Sequence, residues 1–505
     1  MKLEGQRIKL IRQRIAQLSL VGLTLSAANT AHAHASDQGL VLLLPTNVYI
    51  TSGVLAVVLT IVLLAFLPAS WTHKLFNTKG QRPNSTSKSK TAINATNIKD
   101  TPLDPSLNSS ATPFSVIPSL VSTLFLLTLL WIGFTGSHDP LENPMPLFIW
   151  TLWWIGFVIF QGLFGNLWLH LNPWVGLYRL IQHIFADKLP LQLSSKFGSW
   201  PGVVSLLLFM SFALADTAPD APARLAVIVW LYWLCTLLAM IFYGEQWLCR
   251  GECFSMLLKR YAQLAPLRKL NNGWQIGVPG WHAFARRAMT TSSSVFILVL
   301  LGSGSFDGLN ETFSWLAFIG VNPLEFPGRS AVIGKTIAGL IGTCVLLIAV
   351  YGFCIFVGTN WANKQKVDGR KVGYKDAFCQ LSIAILPIAF AYHFAHFLTA
   401  FMINSQYALA AASDPFDTGA DFLNLGTFYV TTGFMNSHHH VETIWLMQAA
   451  SVVIGHILSV MLAHAIALDL FGSARRAIIS QAPLAAFMVL YTLLGLWLLA
   501  APRGA

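Results

Sequence analysis

The sequence predicts an all-α fold: a polytopic helical membrane protein of about ten transmembrane helices following a cleavable signal peptide. Three observations carry this. Hydrophobic residues fill 55% of the 505 positions and charged residues only 10%, against about 25% charged in soluble domains. Apolar runs of about 20 residues, the length that crosses a hydrocarbon core, recur along most of the chain. Lys and Arg collect in alternate loops, as the positive-inside rule produces.

The first stretch has the parts of a secretory leader. "MKLEGQRIKLIRQR" is a basic region, "IAQLSLVGLTLSAA" an apolar one, and "AHAHA" a small-residue cleavage zone. Two cuts satisfy A-x-A. One follows Ala33 and leaves His34 as the new N-terminus; the other follows Ala35 and leaves Ser36. An uncleaved anchor is the alternative. With the first cut, the signal peptide is 1–33 and residues 34–76 hold an outer segment and the first transmembrane helix. Residues 77–112 are polar, rich in Ser, Thr and Asn, and poor in aromatics. They cannot bury enough apolar surface to offset the entropy of ordering, so they read as a flexible cytoplasmic linker. Residues 113–505 form a helical membrane domain with about nine further helices.

The apolar runs place spans at 45–67, 114–134, 146–166, 200–215, 223–243, 292–309, 332–357, 378–403, 443–466 and 482–501. Loops 68–113, 167–199, 244–291, 358–377 and 467–481 hold most of the Lys and Arg and are expected inside. The loops between the other span ends hold Arg329 as their one Lys or Arg, beside ten of the 21 acids. This puts the mature N-terminus and the C-terminus both outside. "NPWVGLYRLIQHIF", within 172–199, is amphipathic and suits the inner interface. All six cysteines fall in spans or inner loops, so no structural disulfide is expected. Glu245 and Glu252, seven apart, are expected on one helical face, pairing with Arg250 or Lys259.

A net charge of +11 would suit a nucleic-acid partner if it were clustered. It is spread over alternate loops without a basic-aromatic stripe, so no nucleic acid is expected; the partner is the lipid bilayer. No G-x-x-x-x-G-K-[ST], H-E-x-x-H or G-x-S-x-G occurs, which removes the nucleotide, zinc-protease and serine-hydrolase signatures.

Histidines carry the chemistry. "AYHFAHF" puts His393 and His396 three apart, on one helical face. "VVIGHILSVMLAHA" places His456 near mid-span and His464 near the inner end. His393 and His456 both lie roughly 15–20 Å below the outer surface at a rise of about 1.5 Å per residue. Neutral imidazole is the commonest metal ligand, so His393, His396 and His456 are candidate ligands of a divalent metal, zinc or copper. Interhelical hydrogen bonding is their plainer role.

Outer loops add more candidates. "NSHHHVE" contributes His438, His439 and His440, and "SDPFDTGAD" contributes Asp414, Asp417 and Asp421. "SGSFDGLNE" is expected to break the sixth span at Gly302, Gly304 and Gly308 and to bring Asp307 and Glu311 into a cavity. His34, if freed by cleavage, could chelate copper through its amine and ring.

The segments "AHAHASDQGLVLLLPTNVYITSGVLAVVLT", "YHFAHFLTAFMINSQYALAAASDPF", "SFDGLNETFSW" and "VIGHILSVMLAHAIAL" resemble those of a bacterial membrane family labelled fenitrothion-hydrolase-like. The resemblance implies a membrane-bound enzyme that hydrolyses organophosphate triesters; with the loop charges, a bacterial origin would put the chain in the inner membrane with both termini periplasmic. The resemblance assigns no catalytic residue. The chemistry of this sequence offers a metal-bound water as nucleophile, with Asp307 or Asp414 taking its proton. A small hydrophobic substrate would reach such a site from the bilayer through the aromatic-rich spans. Two other classes fit the same residues. One is a metal or proton-coupled permease, in which His464 continues a relay inward. The other is a non-catalytic subunit of a membrane complex with a partner subunit.

Overall fold

The protein is an all-α polytopic membrane protein. The computed structural model describes residues 44–67, 71, 75–76, 113–185, 193–270, 273–285, 289–325, 328–365 and 371–502. The leader, His34 and the 77–112 linker lie outside these. Among the described residues nine helices are long and apolar enough to cross a membrane. They are α1 (Thr46–Phe66), α2 (Val116–Thr135), α3 (Pro144–Phe164), α6 (Pro222–Tyr243), α8 (Thr291–Asn310), α9 (Ile333–Asn363), α10 (Tyr374–Ser413), α11 (His438–Phe471) and α12 (Ala474–Ala500). Between them run the amphipathic α4 (Val175–Phe185), the short apolar α5 (Trp200–Ala215) and α7 (Cys253–Tyr261). At 16 residues, α5 reaches about 24 Å, short of the full hydrocarbon thickness of about 30 Å.

Proline starts several of these helices. Pro144, Pro201 and Pro222 stand in the first turn, where a missing N–H costs nothing. Side-chain caps start others: Thr290 accepts from the Ser293 N–H and Glu252 from Phe254 and Ser255, satisfying donors that the first turn leaves open. The last turn of α11 closes on Gly472 at φ 66°, a left-handed position that favours glycine.

α8 is the central post. Fifteen of its side chains or glycines are buried, from Ser292 to Gly308, and it packs against α5, α9 and α10. α9, α10, α11 and α12 pack in a chain of neighbours around it, with α1 laid against α11 and α12. α2, α3, α4 and α6 form a second group, which joins the first where α3 meets α10. Outward faces carry exposed Leu208, Leu346, Phe353 and Leu490, as a surface against hydrocarbon should.

Three local expectations are corrected. The glycines do not break the sixth span: α8 is continuous to Asn310. They serve approach instead, since a Cβ on Gly302 would lie 3.1 Å from the Cys344 Cα. Asp307 therefore sits inside a helix, not on a loop. Glu245 and Glu252 do not share a helical face, because the helix containing Gln246–Arg250 ends at Gly251 and α7 starts anew. Glu245 pairs with Arg179 of α4 at 2.8 Å, and Glu252 caps α7 and accepts from the Tyr232 hydroxyl. A pair of four-residue strands, β1 (Leu267–Leu270) and β2 (Gly273–Ile276), crosses the loop after α7 in antiparallel register, Leu267 opposite Ile276. The sequence reading did not foresee it.

Close helix contact is clearest at Gly358 of α9, where a Cβ would lie 1.9 Å from the Ser480 carbonyl oxygen of α12. Backbone cannot yield as a side chain can. Gly358→Val should lower stability by about 1–3 kcal/mol, the usual cost of overpacking, read as a fall in thermal midpoint in detergent. Gly342→Val, with nothing within 4 Å of its Cβ, should leave the midpoint in place.

Candidate site between helices eight and ten

The buried polar centre forms where α8 meets α10. His396 Nε2 stands 3.2 Å from Asp307 Oδ2, with the two side chains 8% and 16% exposed. A carboxylate facing one ring nitrogen fixes the tautomer: the proton sits on Nε2 and the Nδ1 lone pair points away. Nδ1 is buried and has no hydrogen-bond partner among the described residues. The pair borders a cavity of about 20 Å³, also lined by His393, Tyr392, Trp154 and Gly304. A water needs about 10–15 Å³ measured this way, so there is room for one.

Gly308 and Tyr392 shape this pocket. A Cβ on Gly308 would meet the Tyr392 hydroxyl at 1.9 Å and lie 3.7 Å from His396 Nδ1. Only glycine leaves Tyr392 its place, with its ring stacked on His396 at 5.8 Å. Sequence reasoning missed Tyr392 and read Gly308 as a helix break rather than as room for that hydroxyl. The spacing of Gly304 and Gly308, four apart on one helical face, was the available signal; it marks the track along which α10 approaches.

His393 shares the pocket but has another task. Its Nε2 donates to the Trp154 carbonyl of α3 at 3.0 Å, and its ring meets the Trp154 ring edge-on at 5.1 Å. This bond ties α10 to the π-helical stretch Leu147–Phe157 of α3. π-helical turns are rare and gather at functional sites.

His456 does not join them. It is 1% exposed, donates from Nδ1 to the Val452 carbonyl at 2.8 Å, and faces Tyr491 of α12, ring centroids 6.4 Å apart. Equal depth on neighbouring helices is not equal direction, and the side chain of His456 turns to the opposite seam. His464 lies further along the same helix and accepts from Gln481 at 3.1 Å.

The loop candidates are engaged in structure. Asp414 accepts from the Thr418 and Gly419 N–H groups at 2.9 and 2.6 Å and from the Thr418 hydroxyl. Asp421 accepts from the Ser413 hydroxyl at 2.7 Å and from the Leu425 and Gly426 N–H groups at 2.8 Å. Both carboxyls are held below the usual aspartate range, Asp414 chiefly by the Thr418 backbone bond and Asp421 chiefly by Ser413. His438, His439 and His440 are exposed in the first turn of α11. Beside them Glu442 accepts from Tyr49 of α1 at 2.8 Å.

A metal held jointly by His393, His396 and His456 does not fit this arrangement. Two of the rings have given nitrogens to carbonyl groups on different sides. Among the described residues no three His, Cys, Asp or Glu side chains are placed to hold a metal ion. Comparison with known proteins adds no assignment: no family model, curated protein or solved structure matches the chain.

The two loop aspartates generate a pH prediction. Groups with lowered folded values stabilise the loop above their unfolded range, and that contribution is lost as pH falls through the folded values. Limited proteolysis within 414–436 should therefore be slow at neutral pH and accelerate on acidification past the ordinary aspartate range. Asp421→Ala should be cleaved fast at neutral pH already. Wild-type cleavage that does not change with pH would count against this role.

Proposed function

We propose that the chain is a proton-coupled membrane permease and that the Asp307–His396 pair is its proton site. The observation that carries this reading is the Asp307–His396 contact at 3.2 Å, whose remaining imidazole nitrogen is buried with no partner among the described residues and whose cavity admits about one water. Ionisable side chains inside a membrane bundle are costly and mark ion or proton pathways.

The chemistry follows from charge. With neutral His396 and ionised Asp307 the pair carries one negative charge inside the bundle. A proton taken at Nδ1 makes an imidazolium beside a carboxylate and brings the net charge to zero. Attraction across the pair then increases while the net-charge desolvation cost falls. Protonation thus favours a tighter contact between α8 and α10, and this difference between states is what a coupled conformational change requires. His464, further along α11, offers a later stop for the proton. In this reading the basic loops face the cytoplasm of a bacterium, the acidic loops and both termini face the periplasm, and the chain resides in the inner membrane.

A hydrolase is the second reading, supported by the resemblance to the fenitrothion-hydrolase-like family and by the same pair. An imidazole oriented by a carboxylate is a general base; His396 would take a proton from the water beside it and Asp307 would hold the ring. The size of the pocket speaks against it. About 20 Å³ receives a water and no triester. No step in either reading is routed through zinc or copper.

Infrared difference spectroscopy on the reconstituted protein tests the permease reading. A step from mildly alkaline to mildly acidic pH should produce a histidine protonation signal that disappears in His396→Gln. Asp307→Asn, which leaves the ring without its carboxylate partner, should diminish the signal over the same pH step. An unchanged signal in both variants would refute the proton site. Turnover of a chromogenic phosphotriester in detergent, without a gradient and lost in Asp307→Asn, would favour the hydrolase instead.

A further inference from the structure

A second cavity is far larger than the one beside Asp307. It measures about 950 Å³ and opens among α2, α3, α5, α6 and the start of α7. Ligand cavities in proteins run to about 300–1,000 Å³. Its wall is mostly aromatic: Trp150, Trp153, Phe209, Tyr232, Trp233 and Phe254 are among the lining residues. Among the described residues no Lys, Arg, Asp, Glu or His lines it. The rings are ordered against one another. Phe209 meets Phe254 edge-on at 4.7 Å and Trp154 edge-on at 4.8 Å, and Trp153 meets Phe254 at 4.7 Å.

Three features hold the cavity open. Glu252, 1% exposed, accepts from the Phe254 and Ser255 N–H groups at 2.8 and 2.6 Å and from the Tyr232 hydroxyl. It pins the start of α7 to α6. Trp174 donates from its indole to the Trp233 carbonyl at 2.9 Å and pins the loop before α4 to the same helix. The consecutive helices α5 and α6, by contrast, are not a closely packed hairpin. Leu208 lines the cavity and is also 67% exposed on the outward face, which puts a lateral opening toward the lipid.

We propose that this cavity is a binding site for an uncharged, ring-bearing lipophile that enters sideways from the bilayer. The absence of charge in the lining excludes ionic ligands, since burying an unpaired charge is prohibitive. The aromatic wall favours rings over acyl chains, because ordered ring pairs gain about 0.5–1.5 kcal/mol beyond area burial. The site is independent of the proton reading. Phe209 and Trp154 stand between the two cavities, so either could operate without the other. If both operate, the π-helical stretch of α3 joins them: Trp153 lines the aromatic cavity and Trp154 lines the pocket of His393.

The test uses the full-length protein in detergent and N-phenyl-1-naphthylamine, an uncharged aromatic lipophile, read by energy transfer from tryptophan. Wild type should bind the probe saturably. Ser205→Phe and Val229→Trp, which fill the cavity from α5 and α6, should each weaken binding roughly tenfold or more, as bulk placed in a packed site does. Leu346→Phe on the lipid-facing surface of α9 should not. Cys235 lines the cavity and is exposed, so the probe should also slow its alkylation by N-ethylmaleimide in the unmodified protein. That measurement decides the matter should a filling variant fail to fold. Unsaturable binding equal in all variants, with no protection of Cys235, would overturn the site. Competition by a brominated phospholipid as effective as the probe would overturn the ring-bearing class and make the cavity a seat for acyl chains. Loss of proton uptake in Asp307→Asn with probe binding intact would leave this site standing alone.

Discussion

A carboxylate inside a membrane bundle must be partnered, and the arrangement of α8 and α10 answers that requirement at Asp307. The partner is not a cation of fixed charge such as Arg, which would make a permanent salt bridge. It is an imidazole, which offers two charge states. The helices meet closely because α8 spends Gly304 and Gly308 on the facing side and α10 spends Tyr392 on filling the gap. A bulkier α8 would hold the helices apart, and Asp307 would then lie in hydrocarbon without a partner. The buried serines of α8 belong to the same solution. Ser294 donates to the Cys379 carbonyl at 3.3 Å and Ser305 shares a 2.5 Å hydrogen bond with the Tyr491 hydroxyl, so the post is tied on several sides. It is held in place by bonds as well as by van der Waals contact, the only other cohesion available when lipid is as apolar as the helix surface.

Much of this fold was legible in the sequence because bilayer thickness acts directly on composition. A run of about 20 apolar residues has few readings other than a span, and nine such helices stand close to where the runs place them. α5 is the exception that shows the limit: its apolar run is genuine, yet 16 residues do not reach across alone. Side-chain direction was the illegible part. Position along a span reads out as depth for His393, His396 and His456, but a depth argument contains no azimuth. The structure brings the first two to one pocket and turns the third to the α12 seam. The glycines of α8 misled for a related reason. Glycine permits a broken helix and permits close approach, and sequence alone cannot separate the two where the partner helix lies nearly a hundred residues away.

Loop acids illustrate the same gap from the other side. Asp414 reads from sequence as a proton acceptor and Asp421 as a further outer-loop candidate. Asp414 accepts from two backbone N–H groups and the Thr418 hydroxyl, and Asp421 from two backbone N–H groups and the Ser413 hydroxyl. Short polar side chains compete for nearby backbone whenever a loop turns sharply, and "SDPFDTGADFLNLG" turns twice, with Gly419 and Gly426 at φ 80° and 60°. A carboxylate that already accepts three hydrogen bonds has little left to offer a substrate. Asp307 differs because only one neighbour claims it among the bonds described, and that neighbour can itself change charge.

The seam between α10 and α11 explains why the pocket can be small and still well defined. Gln448 donates to the Ala395 carbonyl at 2.8 Å and Ser451 to the Ala391 carbonyl at 3.3 Å, while Ser459 donates to the Ala384 carbonyl. Between these bonds Gly455 brings the helices together, where a Cβ would come within 2.4 Å of the Ala391 Cβ. Three polar side chains of one helix therefore grip the backbone of the other between Ala384 and Ala395. His396 lies one residue beyond Ala395 and projects from the far side of a helix that cannot easily rotate. Any motion that protonation induces should be taken up where the grip is weaker. That is the α3 side, where His393 holds Trp154 by a single hydrogen bond and the helix is already wound in the wider π form.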